Sequence, residues 1–342
     1  MVRRVSIMDI AERAGVSHTT VSRALRGHTR ISAVVRGRIV ELADQMGYVP
    51  NAIAQSLQQQ QSCTIGVVIS DIADPFWGEV VKGIDDVCTS NGQSVLLHAA
   101  AHDEKLQITA IRRLQQRRVD GIIVVDSQLG PSEIRQLEAS GTPMIFINSQ
   151  RSFESSSLRS VTIDNYAGGA IAADHLVALG HQKVAYFGSP KRPGSNLKRS
   201  LGFIDTLVAH GVHRSRIFQD ECAADIADID GGYTMAQSLN EPGVTAVFCY
   251  NDGIALGALA GFRAKGVAVP HKISVVGFDD LAMARYSWPP LTTIAQPKGL
   301  LGQTAMHNLA TLIGGTSVAD AVLVPSLLIR DSSTPLAKGL RS

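Results

Sequence analysis

Residues 17–23 read SHTTVSR and place hydroxyl, imidazole and guanidinium groups within about two turns of a predicted helix near the start of the chain. At helical spacing Val21 and Leu25 face inward. The outer face then carries Ser17, His18, Thr19, Ser22 and Arg23. Short polar side chains at a helix N-terminus can contact phosphates and base edges together, and an Arg can hold either through two donors. The pattern favours DNA binding, whereas an isolated helix of this composition would indicate only a solvated face.

The flanking sequence predicts the elements that position these groups. Ser6 followed by Asp9 is a start of the capping-box kind, and Gly15 is a suitable stop for the first helix. A three-residue link, GVS, leads to the second helix at 17–25, as in a helix-turn-helix. A third helix is expected at 32–46. Three short helices around a shared apolar core form a minimal independent domain.

The charge distribution points to the same end of the chain. Residues 1–62 hold eight Arg and no Lys against four acidic residues, a net charge of +4, while the remainder carries −2. A basic head on a mildly acidic body indicates an anionic partner at the head only.

The body alternates short apolar runs with helical patterns, beginning with TIGVVIS at residue 64. A βαβαβ order predicts a parallel sheet with helices on both faces. The same rhythm begins again near Asp164, which predicts two similar α/β lobes with a ligand site in the cleft between them. The fold class is therefore a small all-α helix-turn-helix headpiece plus a two-lobed α/β core with parallel sheets.

Short polar side chains follow the predicted strands, with Phe76 and Trp77 as the aromatic element. They are Ser70, Asp71, Asp74, His98, Asp126, Ser127, Asn148, Asp164, Asn251, Asp252, Asp279 and Asp280. Acids and amides beside an aromatic face suit a sugar or a nucleoside, although such residues are also ordinary loop caps.

Several stretches carry a resemblance to a known family. VSIMDIAERAGVSHTTVSRALRG followed by GYVPNAIAQSL resembles the headpiece and hinge of the LacI/GalR family of transcriptional regulators. DNYAGGAIAADHLVALGHQKVAYFG, the segment from NDGIALGAL to VVGFDD, and WPPLTTIAQP extend the resemblance over roughly 64–335. It implies a core like a periplasmic sugar-binding protein. It also implies base reading by His18 and Thr19, with Thr20, Ser22 and Arg23 at more general DNA-contacting positions.

The segment after the headpiece is a candidate hinge. Pro50 can begin a helix, and Asn51–Leu57 has helical composition but is too short to be stable alone in water. The resemblance implies that two such helices pair in the DNA minor groove, where Leu57 is a wedge and Asn51 and Ala54 line the contact. Simple packing of Leu57 on the core is the alternative.

The resemblance also implies effector contacts in the cleft. By position they fall on Asp74, Phe76, Asn148, Ser195, Arg199, Asn251 and Asp279, to which Trp77 is added as the neighbouring aromatic residue. Arg199 matches an Arg that grips hydroxyls or carboxylates, and Asp279 matches an acid that accepts from sugar hydroxyls. Two positions depart from the family pattern. Ala227 stands near the place of a pocket aromatic residue, and Lys298 occupies another pocket position.

The expected domains are a headpiece at 1–48, a hinge and linker at 49–62, and two lobes. The N-terminal lobe takes 63–163 and 295–324, and the C-terminal lobe takes 164–294 and 325–342. No apolar run approaches the roughly 20 residues that cross a bilayer, and the N-terminus lacks a signal-peptide core, so a cytosolic protein is expected. His98 and His102 have metal-ligand spacing without a third ligand, and the four Cys form no CxxC pair, so neither a metal nor a cofactor is expected.

The resulting hypothesis is a DNA-binding transcriptional regulator of repressor type, controlled by a small effector such as a sugar. A homodimer, or a higher oligomer, would read a pseudo-palindromic operator. The alternatives are a purine- or nucleoside-responsive corepressed regulator, a sugar-binding receptor, and an enzyme acting on a sugar. The absence of GxGxxG, GxxxxGK[ST] and GxSxG motifs argues against catalysis.

Overall fold

The computed structural model describes residues 5–49, 61–100, 103–127, 129–149 and 158–336. The chain divides into two compact units, Met1–Ser62 and Cys63–Ser342. In the described part of the first unit the helices are α1 (Ile7–Ala14), α2 (His18–Leu25) and α3 (Ala33–Gln45).

Local signals in the sequence set the ends of these helices. Asp9 N donates to Ser6 Oγ and Ser6 N donates to Asp9 Oδ2, the reciprocal pair of a capping box. Gly15 ends α1 with φ +68°, a left-handed conformation that costs glycine little. Ile10, Val21 and Ile39 form the buried centre of the unit. The predicted helix-turn-helix headpiece is confirmed.

The second unit contains two six-stranded sheets. The first has the order β11-β5-β4-β3-β1-β2, with every pair parallel. Its strands are β1 (Thr64–Ile69), β2 (Ser94–Ala99), β3 (Gly121–Val125), β4 (Met144–Ile147), β5 (Arg159–Ile163) and β11 (Ala321–Leu323). Its helices are α4 (Pro75–Ser90), α5 (Glu104–Gln116), α6 (Pro131–Ala139) and α11 (Lys298–Ile313).

The second sheet has the order β12-β10-β9-β8-β6-β7. Its strands are β6 (Val184–Gly188), β7 (Ile217–Glu221), β8 (Ala246–Cys249), β9 (Ser274–Asp279), β10 (Thr292–Ala295) and β12 (Ser326–Leu328). Its helices are α7 (Asn165–Ala178), α8 (Pro193–Ala209), α9 (Asp228–Ser238) and α10 (Asp252–Ala264). Short 3₁₀ helices occupy Arg214–Arg216 and Ala282–Arg285. The edge strand β12 pairs antiparallel with β10, a departure from the uniformly parallel sheets that the sequence predicts.

Each sheet and its helices form one lobe, and the chain crosses between the lobes three times, after β5, after β10 and after β11. The helix α11 returns to the first lobe, where it packs against α4. A Cβ on Gly302 would lie 2.1 Å from the carbonyl oxygen of Val80, so only glycine permits this close approach. The predicted two-lobed α/β fold is confirmed.

No helix among the described residues is long and apolar enough to cross a membrane. His98 lies in β2, whereas His102 is outside the described residues.

Candidate functional site

The exposed face of α2 carries the polar residues that the sequence singles out. Ser17 caps the helix, since its Oγ accepts from Thr20 N at 3.1 Å and lies 2.9 Å from the Thr20 hydroxyl. His18, Thr19 and Arg23 are exposed, while Val21 and Ala24 are buried against the other helices. The first turns of α2 therefore expose hydrogen-bond donors and acceptors, and the N-terminus of a helix favours anions.

Ser22 has a partner that sequence reasoning missed. Arg26 directly follows α2, one turn beyond Ser22, and its guanidinium donates to the Ser22 carbonyl oxygen at 3.2 Å and to the Ser22 hydroxyl. Arg26 therefore adds a second cation to this face beside Arg23. The spacing of four residues between Ser22 and Arg26 was the available signal.

The predicted hinge contacts Asn51, Ala54 and Leu57 lie outside the described residues.

A cleft lies where the carboxyl ends of the two sheets face each other. The first lobe contributes Phe76, Trp77, Asp126, Asn148, Ser149, Thr162 and Ile163. The second contributes Asn165, Arg192, Gly194, Ser195, Lys198, Arg199, Tyr250 and Asp279, and Gln296 comes from the crossover after β10. Six of the eight predicted effector residues line this cleft: Phe76, Trp77, Asn148, Ser195, Arg199 and Asp279.

The other two predicted residues have different places. Asp74 is not among the lining residues but borders the cleft: its Oδ1 caps α4 by accepting from Phe76 N at 3.0 Å, and its Oδ2 accepts from Arg192, which does line the cleft. Asn251 does not line the cleft. Its Oδ1 caps α10 through Ile254 N at 2.9 Å, and its Nδ2 donates to Asp228 at 2.6 Å. The side chain of Asn251 is thus already committed to contacts within the second lobe.

Arg199 is the buried centre of the second-lobe wall. Its Nε donates to Asn165 Oδ1 at 2.8 Å, and its Nη1 donates to the Tyr250 carbonyl at 2.6 Å. The guanidinium lies 3.6 Å from the ring centroid of Phe278 and 3.7 Å from Asp279 Oδ1. These contacts fix the planar group in one orientation beside Asp279.

Asp279 ends β9 with φ +115°, an unusual conformation for a non-glycine residue. Gln296 Nε2 donates to its Oδ1 at 2.6 Å, and burial raises the pKa of Asp279 to about 6 against the opposing effect of Arg199. The Lys298 ammonium donates to the carbonyl oxygens of Asp279 and Asp280 and lies 3.2 Å from Glu79. Lys298 thus lies behind the cleft wall and holds the backbone that aims Asp279 inward.

Asp252 is a buried acid next to this wall. Its Oδ1 accepts from the Thr293 hydroxyl at 2.6 Å and its Oδ2 accepts from Leu281 N at 2.7 Å. Burial, and then the charge of Asp279, raise the pKa of Asp252 to about 8. The folded protein therefore holds the Asp252 proton more tightly than the unfolded chain does.

This shift has a consequence for stability. The pKa of Asp252 is 3.8 in the unfolded chain and about 8 in the folded protein, so its protonation stabilises the folded state. This contribution is fully present below pH 3.8 and is lost as pH rises through about 8. Between those limits the loss is about 1.4 kcal/mol per pH unit. We expect the free energy of unfolding of the wild type, measured in urea, to fall between pH 6 and pH 8 by about 2 kcal/mol more than that of Asp252→Asn.

The Asn side chain fits because the Thr293 hydroxyl can turn to accept from the amide. Asp86→Asn, on the exposed surface of α4, is the matched control and should follow the wild type. A constant difference between wild type and Asp252→Asn across this range would show that Asp252 is not held protonated.

Arg192 and Asp126 are two of the cleft residues that the sequence analysis did not assign to the effector. Asp126 follows a strand and was one of many polar strand ends, whereas Arg192 lies in the loop KRPG after β6. A cation in a loop at the carboxyl end of a strand was the only signal.

The fold and the cleft together define a class: a helix-turn-helix headpiece joined to a two-lobed core of the periplasmic-binding type. Comparison with known proteins agrees over nearly the whole chain. Residues 6–51 match the model of bacterial regulatory proteins of the lacI family, and residues 62–332 match that of periplasmic binding proteins and the sugar binding domain of the LacI family.

Individual relatives cover both units. The HTH-type transcriptional regulator GalS of Salmonella typhimurium is 33% identical over 332 residues, 96% of each chain. The lac repressor dimer bound to operator and the anti-inducer ONPF superposes with a TM-score of 0.86 at 30% identity, covering 98% of this chain and 100% of that chain. A ribose-bound LacI family regulator from Enterococcus faecium has a TM-score of 0.72 at 30% identity, covering 80% of this chain and 100% of its own.

The chain belongs to the LacI family of transcriptional regulators.

Proposed function

We propose that the protein is a repressor whose affinity for a pseudo-palindromic operator is controlled by a small polyhydroxylated effector bound in the cleft. The observation that carries the proposal is the convergence of six predicted effector residues on one interlobe cleft, in a chain that also carries a helix-turn-helix. Buried carboxylates, amides and guanidinium groups beside two aromatic rings provide the donors and acceptors that sugar hydroxyls require.

The DNA-contacting residues of this proposal are those of the α2 face and the hinge. They are Ser17, His18, Thr19, Thr20, Ser22, Arg23, Asn51, Ala54 and Leu57. Effector binding would change the affinity of these residues for DNA if the effector and the DNA favour different arrangements of the two lobes, because the two binding free energies are then linked reciprocally. The lobes would be 63–163 with 295–324, and 164–294 with 325–342.

A homodimer that acts in the cytoplasm completes the proposal. The second lobe exposes large apolar side chains close together in the sequence, with Tyr286 and Trp288 each 82% exposed. Trp288 also lines grooves with Leu256, Leu259 and Pro289. Exposed aromatic residues of this kind favour a protein interface. The lac repressor relative is a dimer on its operator, and two-fold symmetry matches a pseudo-palindromic site.

A thermal-shift panel of neutral monosaccharides, disaccharides, sugar acids, purines and nucleosides tests the effector class. A neutral sugar that fills the cleft should raise the melting temperature, because binding at 100 times Kd stabilises the folded state by about 2.7 kcal/mol. Asp279→Asn should lose that shift. A hit confined to purines or nucleosides would replace the sugar with the nucleoside alternative, for which Phe76 and Trp77 are the stacking candidates.

A further inference from the structure

Arg192 is a cation that crosses the cleft. Arg192 belongs to the second lobe, just before α8, and its Nε donates to Asp126 Oδ2 of the first lobe at 2.8 Å. Its Nη2 donates to Asp74 Oδ2, also of the first lobe, at 2.7 Å. The guanidinium carbon lies 5.6 Å from the ring centroid of Trp77. One side chain therefore joins the lobes through two charge-assisted hydrogen bonds and an aromatic contact.

Arg192 lines a cleft that retains little space. With the guanidinium between the two carboxylates, the remaining cavity is about 50 Å³. Small-molecule pockets begin at about 300 Å³. The cleft must therefore open before it can hold a sugar, and opening separates Arg192 from Asp74 and Asp126.

The two carboxylates do not depend on Arg192 for their local structure. Asp74 uses Oδ1 to cap α4 and only Oδ2 to meet Arg192, so α4 keeps its cap when the contact breaks. Asp126 lies directly after β3, whose strand is held by β1 and β4 on either side. Loss of the contact should therefore open the cleft without unfolding a lobe.

We infer that Arg192 is an interlobe tie that the effector must displace, and that the effector replaces it with hydrogen-bond donors to Asp74 and Asp126. The second half of this inference rests on the proposed function. Hydroxyl or amino groups satisfy two carboxylates, whereas a carboxylate or phosphate at this end of the cleft would face like charges. The tie thus makes Arg192, Asp74 and Asp126 specificity-determining residues that select a neutral polyhydroxyl compound over its acid.

Trp77 reports on the tie without any ligand. The chain has two Trp residues, so Trp288→Phe leaves Trp77 as the only one. Its side chain is 2% exposed, and acrylamide should quench its fluorescence weakly. In that background we expect Arg192→Gln to raise the quenching constant at least about threefold, because the open cleft becomes the main population.

Lys191→Gln is the matched control. It removes the same charge one residue away, from a side chain whose Nζ lies 3.2 Å from Asp228 within the second lobe. Acrylamide should quench the Trp77 fluorescence of this variant with the same constant as in the Trp288→Phe parent. The pair Asp74→Asn and Asp126→Asn cuts the tie from the first lobe and should match Arg192→Gln, with no further increase when all three changes are combined.

Equal quenching constants for Arg192→Gln and Lys191→Gln would overturn the interlobe tie. The tie would also be overturned if the increase from Arg192→Gln and the increase from the two Asp→Asn changes added together in the triple variant. Because these measurements contain no ligand, they are decided independently of the effector panel. The effector class is tested with matched pairs, D-glucose with D-glucuronate and D-galactose with D-galacturonate. In any pair that shifts the melting temperature, the neutral member should give the larger shift, and a larger shift from the acid would overturn the selection by Asp74 and Asp126.

Discussion

Arg23→Ala is expected to weaken operator binding by at least about 30-fold at fixed salt, since each Arg that contacts a base or phosphate contributes about 1–3 kcal/mol and a dimer carries two. Arg23 is exposed on the outer face of α2, and its neighbours Val21 and Ala24 hold the helix in place from the other side. The loss should therefore come from the DNA contact and leave the headpiece folded. The measurement is fluorescence anisotropy with a duplex selected by the wild-type protein from random sequences.

Arg38→Ala is the control for charge. Arg38 is exposed on α3, so its removal takes the same charge from the same unit but from another helix. It should weaken all duplexes slightly and to a similar degree, as a general electrostatic effect does. If Arg23→Ala bound the selected duplex as tightly as the wild type, α2 would not be the helix that reads the operator.

Asp279→Asn is expected to abolish the response to the effector while operator binding without effector is retained. The Asn side chain has the same shape, so the wall formed with Arg199 and Gln296 keeps its packing. It loses the charged acceptor that a sugar hydroxyl would use. Arg199→Ala should also lose the response to the effector. It leaves the buried Asp279 without its cation, however, and should lower the free energy of unfolding by about 3–5 kcal/mol.

The neighbouring residue provides a matched control for Asp279→Asn. Asp280 Oδ1 accepts from Arg330 Nη2 at 2.6 Å, and Asp280 does not line the cleft. Asp280→Asn should therefore respond to the effector as the wild type does. A full response in Asp279→Asn would remove the acid from the proposed site.

Most of the fold could be predicted from the sequence because its signals are local. A Ser three residues before an acid, a Gly after an apolar helix, and apolar runs of strand length each specify an element with little help from the rest of the chain. The convergence of Phe76, Asn148 and Asp279 also followed from one rule, that the carboxyl ends of parallel strands meet at one edge of a sheet, whereas Ser195 was implied only by the family resemblance.

The features that escaped prediction depend on pairings between distant parts of the chain. Nothing local distinguishes Asn251, whose amide is committed to Asp228, from a strand-end residue that faces the cleft. Arg192 and its two aspartates lie 66 and 118 residues apart along the chain, and only the closed lobes bring them together. Likewise, the antiparallel edge strand β12 forms because the chain returns to the second lobe after β11. The spacing of apolar residues predicts a strand but not the sheet to which the chain returns or the direction in which the strand pairs.

The most direct test of effector control measures the affinity of the wild-type protein for its selected operator with and without a saturating amount of the sugar that gives the largest thermal shift. Effector control predicts a change in Kd of at least about 10-fold, within the usual range of allosteric coupling, and no change for Asp279→Asn. An unchanged Kd in the wild type, under conditions where the thermal shift shows that the sugar is bound, would contradict control of DNA binding from the cleft.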